Sequence, residues 1–311
     1  MNPTALARTE RVSRLGLRAP RLVGEESLAP GTMVGPYRIV AEIGRGGMGT
    51  VMLAEDARLR RQVAIKFQHA GAKQHEVDSF RHEARVLASL SNPHVVPVLD
   101  AGEQDGRWWF VMPFLEGRTL DQLLGDLEGD WLPLDVALGL AWQLCDALSV
   151  VHDRGLVHRD IKPGNVIVVG GTHVVLMDFG LAQPSAEREH RGISGTPHYL
   201  APEDIDGKPL AGLDARRSDI YSLGVVLYEL LAGTPPFDAA DPYDVLEMHL
   251  HCSAPSLVDV RPDVPAAIDA VIAHALDKDP AARPATCMEL RRQLRRARYG
   301  PTEEMTPLRG T

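Results

Sequence analysis

A glycine cluster lies between two strand-like stretches and leaves few folds open to this chain. Gly44-Arg45-Gly46-Gly47-Met48-Gly49-Thr50-Val51 follows the pattern G-x-G-x-x-G-x-V. Strand-like residues 37–43 precede it, and β-type residues resume at 51–54 and 63–67. Glycines at this spacing let backbone amides approach phosphate oxygens with no Cβ in the way. Alone the pattern is weak, because dinucleotide sites share G-x-G-x-x-G and a plain hairpin turn would also serve. A dinucleotide fingerprint opens a helix, however, whereas here a strand follows. The expectation is a twisted antiparallel sheet with short turns.

The next periodic stretch predicts a helix over about 77–90, with Val77, Phe80, Ala84 and Leu87 as its apolar stripe. Glu83 falls on the same packed face. A carboxylate there is costly unless a cation meets it, and Lys66 on the preceding strand is the evident partner. After a strand at 108–115 the chain turns mainly helical. Asp135 is placed to cap a helix bearing Leu138, Trp142, Cys145 and Leu148, and Gly155 to end it. Short strands are expected around Val157 and at 166–168. Residues 218–232 are apolar on nearly every side, which implies a helix at the centre of a lobe. Helical patterns at 243–251 and 266–276 precede a basic helix ending near Arg298.

Composition narrows the function class. The net charge of −9 argues against a general nucleic-acid binder. No apolar run approaches the roughly 20 residues that cross a bilayer, and no secretory signal is visible, so a cytoplasmic protein is expected. Cys145, Cys252 and Cys287 form neither a disulfide framework nor a Cys-x-x-Cys pair. His249, His251 and Cys252 match no zinc spacing and are read as part of a helix and its exit. Residues 1–32 carry Arg8, Arg11, Arg14, Arg18 and Arg21 and are read as a flexible basic arm rather than a transit peptide.

The chemistry-bearing residues recur in one order along the chain. In Val63-Ala64-Ile65-Lys66, a lysine on an apolar strand offers a point charge to α- and β-phosphates, oriented by Glu83. In His158-Arg159-Asp160-Ile161-Lys162-Pro163-Gly164-Asn165, Asp160 can accept a hydroxyl proton and Asn165 can hold a metal ion. Lys162 is suited to neutralise charge on a transferred phosphoryl group. Asp178-Phe179-Gly180 adds a second metal-binding carboxylate, and Ala201-Pro202-Glu203 closes the segment between.

Taken together these five motifs resemble the eukaryotic-like bacterial serine/threonine protein kinases, over residues 37–298. The resemblance implies an α+β, two-lobed fold: a small antiparallel β-sheet lobe with one key helix, and a larger, mainly helical lobe. It implies a domain at 33–299, divided at 115/116, between the arm at 1–32 and a tail at 300–311. The expected cofactors are ATP and Mg2+, with Mn2+ as the alternative metal. Partners implied are proteins with Ser or Thr, the chain itself included, and a transient homodimer. Ile43 would help bind the nucleotide, Gly44, Gly46 and Gly49 would cover the phosphates, and Val51, Ala64 and Ile167 would sandwich adenine. Met112 resembles the gatekeeper, while Pro113 and Leu115 would present backbone groups to the base. Asp219 resembles the anchor of the catalytic turn, and Arg283 the ion-pair partner of Glu203. Lys162 and the Gly195-Thr196-Pro197-His198-Tyr199 segment resemble serine/threonine rather than tyrosine kinases, with Thr196 bonding near Asp160.

Two departures stand out. Arg159 before Asp160 usually signals a phosphate on the activation segment, yet only Ser185 and Ser194 carry hydroxyls between Gly180 and Gly195. Glu187 or Glu189 could supply standing charge instead, or simply solvate a loop beside Arg188 and Arg191. Pro113 replaces an acidic hinge residue, which leaves its carbonyl intact. The alternatives to a working kinase are a pseudokinase scaffold and a small-molecule kinase. Intact Lys66, Asp160 and Asp178 oppose the first, and the segment from Gly195 to Glu203 opposes the second.

Overall fold

The computed structural model describes residues 28–46, 49–127, 131–184, 196–208, 210 and 212–300. The chain divides into two units. One takes in the described residues up to Ser89 together with Val96–Leu115, and the other takes in Leu90–Val95 and the chain from Glu116 onward.

The smaller unit is built on β1 (Met33–Val34), β2 (Tyr37–Gly46), β3 (Gly49–Asp56), β4 (Arg61–Phe67), β5 (Asp100–Gln104) and β6 (Arg107–Pro113). They form one antiparallel sheet in the order β1-β2-β3-β4-β6-β5. Strand β4 is buried from Val63 to Phe67, because both faces of the sheet are covered there. One face packs Val34, Tyr37, Ile39, Met52, Val63, Ile65 and Trp109 into a core closed by Leu28. The other meets helix α1 (Gln74–Ser89), whose Phe80 ring lies 5.1 Å from Phe110. This helix starts three residues earlier than its apolar stripe predicts, and Glu76 accepts from the Lys73 amide at its mouth. Val86, rather than Val77, completes the buried face with Phe80, Glu83 and Leu87.

The larger unit is organised around two helices, labelled after the short α2 (Leu120–Gly125): α3 (Leu134–Asp153) and the helix at Arg216–Ala232. The N-cap of α3 is Pro133, so Asp135 does not cap it. Asp135 stands in the first turn and pairs with Arg298 at 2.8 and 3.0 Å, where a negative charge still suits the helix dipole. Past its end, Gly155 takes φ +70° and donates to the His152 carbonyl. By length and composition α3 could cross a bilayer, which the sequence reading overlooked. Here it is a core helix, with Leu140, Leu144 and Leu148 buried and its sides packed on Arg216–Ala232 and on the terminal helix Cys287–Tyr299.

The helix at Arg216–Ala232 is buried almost throughout, and Gly233 at φ +79° ends it. Pro242–His251 and Ala266–Ala275 follow as helices, close to expectation. Small strands complete the unit: β7 (Gly117–Thr119), β8 (Leu156–Val157), β9 (Val166–Val169), β10 (His173–Leu176) and β11 (Gln183–Pro184). They pair as β10-β9-β7 and β11-β8.

Candidate active site

In the smaller unit, the pairing of β3 with β4 sets Lys66 opposite Val51, and that of β4 with β6 sets it opposite Phe110. Its Nζ lies 2.7 and 2.8 Å from the two carboxylate oxygens of Glu83. The residues are 8% and 1% exposed, so each offsets the cost of burying the other's charge. The β2–β3 hairpin pairs Gly44 with Val51 and Gly46 with Gly49, while Gly47 and Met48 lie outside the described residues. A Cβ at Gly49 would stand 2.0 Å from the Phe67 carbonyl oxygen, so the hairpin itself demands glycine there. Among the described residues, a Cβ at Gly46 would meet nothing within 4 Å and one at Gly44 would meet only Val51 at 3.8 Å. Ile43 and Val51 are half-buried and Ala64 is buried. Met112 pairs with Ala64 and Pro113 with Val63, and Leu115 follows the end of β6.

In the larger unit the turn from His158 to Asn165 is held from beneath. Asp219 accepts from the main-chain amides of His158 and Arg159, both at 2.8 Å, and from His152 Nε2 at 2.8 Å. Burial alone would raise its pKa. The bonds and charges of His152 and His158 outweigh that and hold it below the ordinary carboxylate value. Arg159 adopts φ +65°, a backbone conformation that a non-glycine residue keeps only when its surroundings fix it.

The product of that anchoring is a compact polar group. Lys162 Nζ sits 3.0 and 2.8 Å from the Asp160 carboxylate oxygens. Asn165 Nδ2 donates to the Asp160 carbonyl at 2.8 Å and to its Oδ2 at 2.9 Å. The β9–β10 register, with Val166 opposite Leu176, brings Asn165 beside Met177, whose amide donates to the Asn165 carbonyl at 2.9 Å. Asp178 therefore follows at the same open end of the hairpin, at φ +58°. Phe179 is fully buried with its ring edge-on to His158 at 4.5 Å, and burial pushes His158 below its ordinary pKa. Ile167 pairs with Val175 and with Thr119.

Thr196 leads into the 3-10 turn Pro197–Tyr199, and its carbonyl accepts from the Tyr199 amide. A bond from Thr196 to Asp160 is not among the hydrogen bonds of the described residues. Glu203 and Arg283 form a buried two-pronged ion pair, with both contacts at 2.8 Å. Ser185, Glu187, Glu189 and Ser194 lie outside the described residues. His152 is a member of the site that sequence reasoning missed. A histidine one turn after Leu148 on the packed stripe of α3 poses the same question as Glu83, since a polar group there needs a partner.

The protein kinase domain family model matches residues 37–294, across both units. The chain belongs to the protein kinase domain family. This kinase domain is 40% identical over 264 residues to the DNA damage-responsive serine/threonine-protein kinase RqkA of Deinococcus radiodurans, covering 83% of the chain and 39% of that protein. It is 37% identical to serine/threonine-protein kinase PrkC of Bacillus subtilis, over 85% of the chain and 40% of that protein. With PknF of Mycobacterium tuberculosis the identity is 36%, covering 86% and 57% respectively. The chain thus spans 39% to 57% of the length of these relatives. Among solved structures it is similar to the PknI kinase domain of M. tuberculosis, with a TM-score of 0.68, 30% identity and coverage of 88% of this chain and 99% of that one. The two-lobed kinase fold is therefore that of this chain, and the family's general use of ATP with a divalent cation comes with it.

Proposed function

We propose that the chain is a working serine/threonine protein kinase, passing the γ-phosphate of ATP to Ser or Thr hydroxyls of proteins, its own included. The observation that carries this reading is the anchored turn in which Asp160, Lys162 and Asn165 share one set of hydrogen bonds. The catalytic unit is residues 33–299, flanked by the arm and the tail.

The residues present fit a hard divalent cation. Asn165 spends its side-chain nitrogen on Asp160, which leaves its side-chain oxygen as a ligand, and Asp178 at the same open end of the β9–β10 hairpin would add a carboxylate. Two oxygen ligands suit Mg2+, which prefers to complete its shell with phosphate oxygens and water, and no histidine or thiolate stands in this pair. Bound there, Mg2+ supplies charge neutralisation on the phosphates. In this reading Lys66, oriented by Glu83, holds the α- and β-phosphates, and amides of the Gly44–Gly49 hairpin cover them. Asp160 accepts the proton of the acceptor hydroxyl as that oxygen bonds the γ-phosphorus. The bond from phosphorus to the bridging oxygen breaks, and ADP leaves. Lys162, already within 3.0 Å of Asp160, offsets charge on the phosphoryl group in flight. Ser/Thr selectivity rests on Lys162 and Thr196 and on the chain's similarity to serine/threonine-protein kinases.

Thermal unfolding with ATP tests the nucleotide and metal assignments. ATP with Mg2+ should raise the melting temperature by several degrees, and EDTA or Asp178→Asn should remove most of that gain. A shift unaffected by either would contradict the metal assignment.

A further inference from the structure

The turn Pro197–Tyr199 precedes Ala201-Pro202-Glu203, in the segment whose resemblance to protein kinases opposes a small-molecule acceptor, and if the chain is a protein kinase this segment is a platform on which a protein substrate would rest. Its carbonyls are already in use. Thr196 and Pro197 accept from the amides of Tyr199 and Leu200 at 3.0 and 3.4 Å. The Tyr199 carbonyl accepts from Ser222 Oγ at 2.7 Å, and the His198 carbonyl lies 3.0 Å from His249 Nε2. His249 is fully buried, and its other nitrogen, Nδ1, is 2.8 Å from the Tyr221 hydroxyl. That hydroxyl in turn lies 3.2 Å from Lys278 Nζ, which sits 4.4 Å from the centre of the Phe237 ring.

The donor and acceptor roles along this row are forced. The His198 carbonyl can only accept, so His249 Nε2 carries the hydrogen, and the neutral ring accepts at Nδ1 from the Tyr221 hydroxyl, whose oxygen accepts from the Lys278 ammonium. Burial, with the Lys278 charge nearby, pushes His249 down to about 4, which keeps the ring neutral at physiological pH. Burial also lowers Lys278, to about 8, so it is still mostly charged near neutrality. Three elements distant in sequence thus converge on one backbone oxygen of the platform.

We infer that Lys278, Tyr221 and His249 are positioning residues for the protein substrate, a one-way hydrogen-bond relay that fixes the His198 carbonyl and with it the surface of the platform. The inference rests on the kinase reading for its functional half and on the relay geometry alone for its structural half. None of the three touches a reacting atom. Their loss should therefore weaken the grip on protein substrate and leave the handling of ATP unchanged.

Tyr221→Phe removes one oxygen and keeps the ring, so it breaks the relay with little change in volume. In the full chain, with myelin basic protein as acceptor, KM for the protein should rise about fivefold while KM for ATP stays within about twofold. Amide exchange at 199–200 should speed up about tenfold, while exchange within α3 stays at its original rate. His249→Gln, which keeps an N–H donor near the Nε2 position, should retain more of the substrate affinity than His249→Leu. Unchanged KM and unchanged exchange in Tyr221→Phe would overturn the inference. So would faster exchange across the whole larger unit, since that would mark a merely structural role. A wild-type chain that transfers no phosphate, yet shows the local exchange change in the variant, would sink the kinase reading and uphold the relay.

Discussion

Glu83 sits 1% exposed on a helix face that otherwise carries Phe80, Val86 and Leu87, and it is kept there by two contacts to Lys66. Removing one member of such a pair takes the bidentate counter-charge away from a buried ion, at a cost of about 3–5 kcal/mol. Lys66→Met should therefore lower unfolding free energy by about that amount as well as abolish transfer. Lys66→Met combined with Glu83→Leu should regain most of the stability and none of the activity, which denaturant unfolding beside an activity assay would show. A double variant no more stable than the single one would contradict this account of the pair. The Lys66–Glu83 contact was legible in sequence because a carboxylate on an apolar stripe demands a cation. His152 and His249 were less legible, because histidine is tolerated in a core and its partners here, Asp219 and a main-chain carbonyl, come from elements far along the chain.

At the scale of elements, the glycine hairpin separates two reasons for the same residue. Gly49 is dictated by the carbonyl of Phe67 on the neighbouring strand, whereas no described residue crowds a methyl group at Gly44 or Gly46. Gly49→Ala should cost about 1–3 kcal/mol of stability from overpacking. Gly44→Ala and Gly46→Ala should stay within about 0.5 kcal/mol of the parent while raising KM for ATP several-fold. If Gly46→Ala destabilises the chain as much as Gly49→Ala, the hairpin rather than the phosphate requires that glycine. Element boundaries were partly readable. The helix at Arg216–Ala232 is plain from its all-round apolar sequence, but α1 begins outside its apolar stripe, and only pairing with β9 distinguishes the short β10. Asp135 looked like a cap because its residue type favours one, yet Pro133 holds the cap position and Arg298 supplies a partner from the last helix.

For the molecule as a whole, the pH response of stability should carry the mark of one carboxyl. Burial beside Glu203 pushes Asp204 up to about 7, against the partial relief of Arg159 and Arg283. Between about pH 4 and 7 the folded chain then binds a proton that the unfolded chain has released, so this group's contribution to stability falls as pH rises through that window. Asp204→Asn should remove the effect, leaving a variant that gains on the parent by up to about 2 kcal/mol as pH goes from 5 to 8. Urea unfolding at four pH values checks it, and parallel curves for the two proteins would contradict it. The order of the motifs made the two-lobed fold and the family legible at this scale. The inward-facing polar network of the larger unit was less so, since it is assembled from contacts more than fifty residues apart, as between His158 and Asp219 or Glu203 and Arg283.

The most direct test of the account is transfer of labelled phosphate from ATP to myelin basic protein and to the chain itself, with Mg2+, beside Asp160→Asn and an EDTA control. Label should appear on serine or threonine, reduced at least about a hundredfold by Asp160→Asn and abolished by EDTA. Transfer that survives Asp160→Asn undiminished, or label confined to tyrosine, would contradict it.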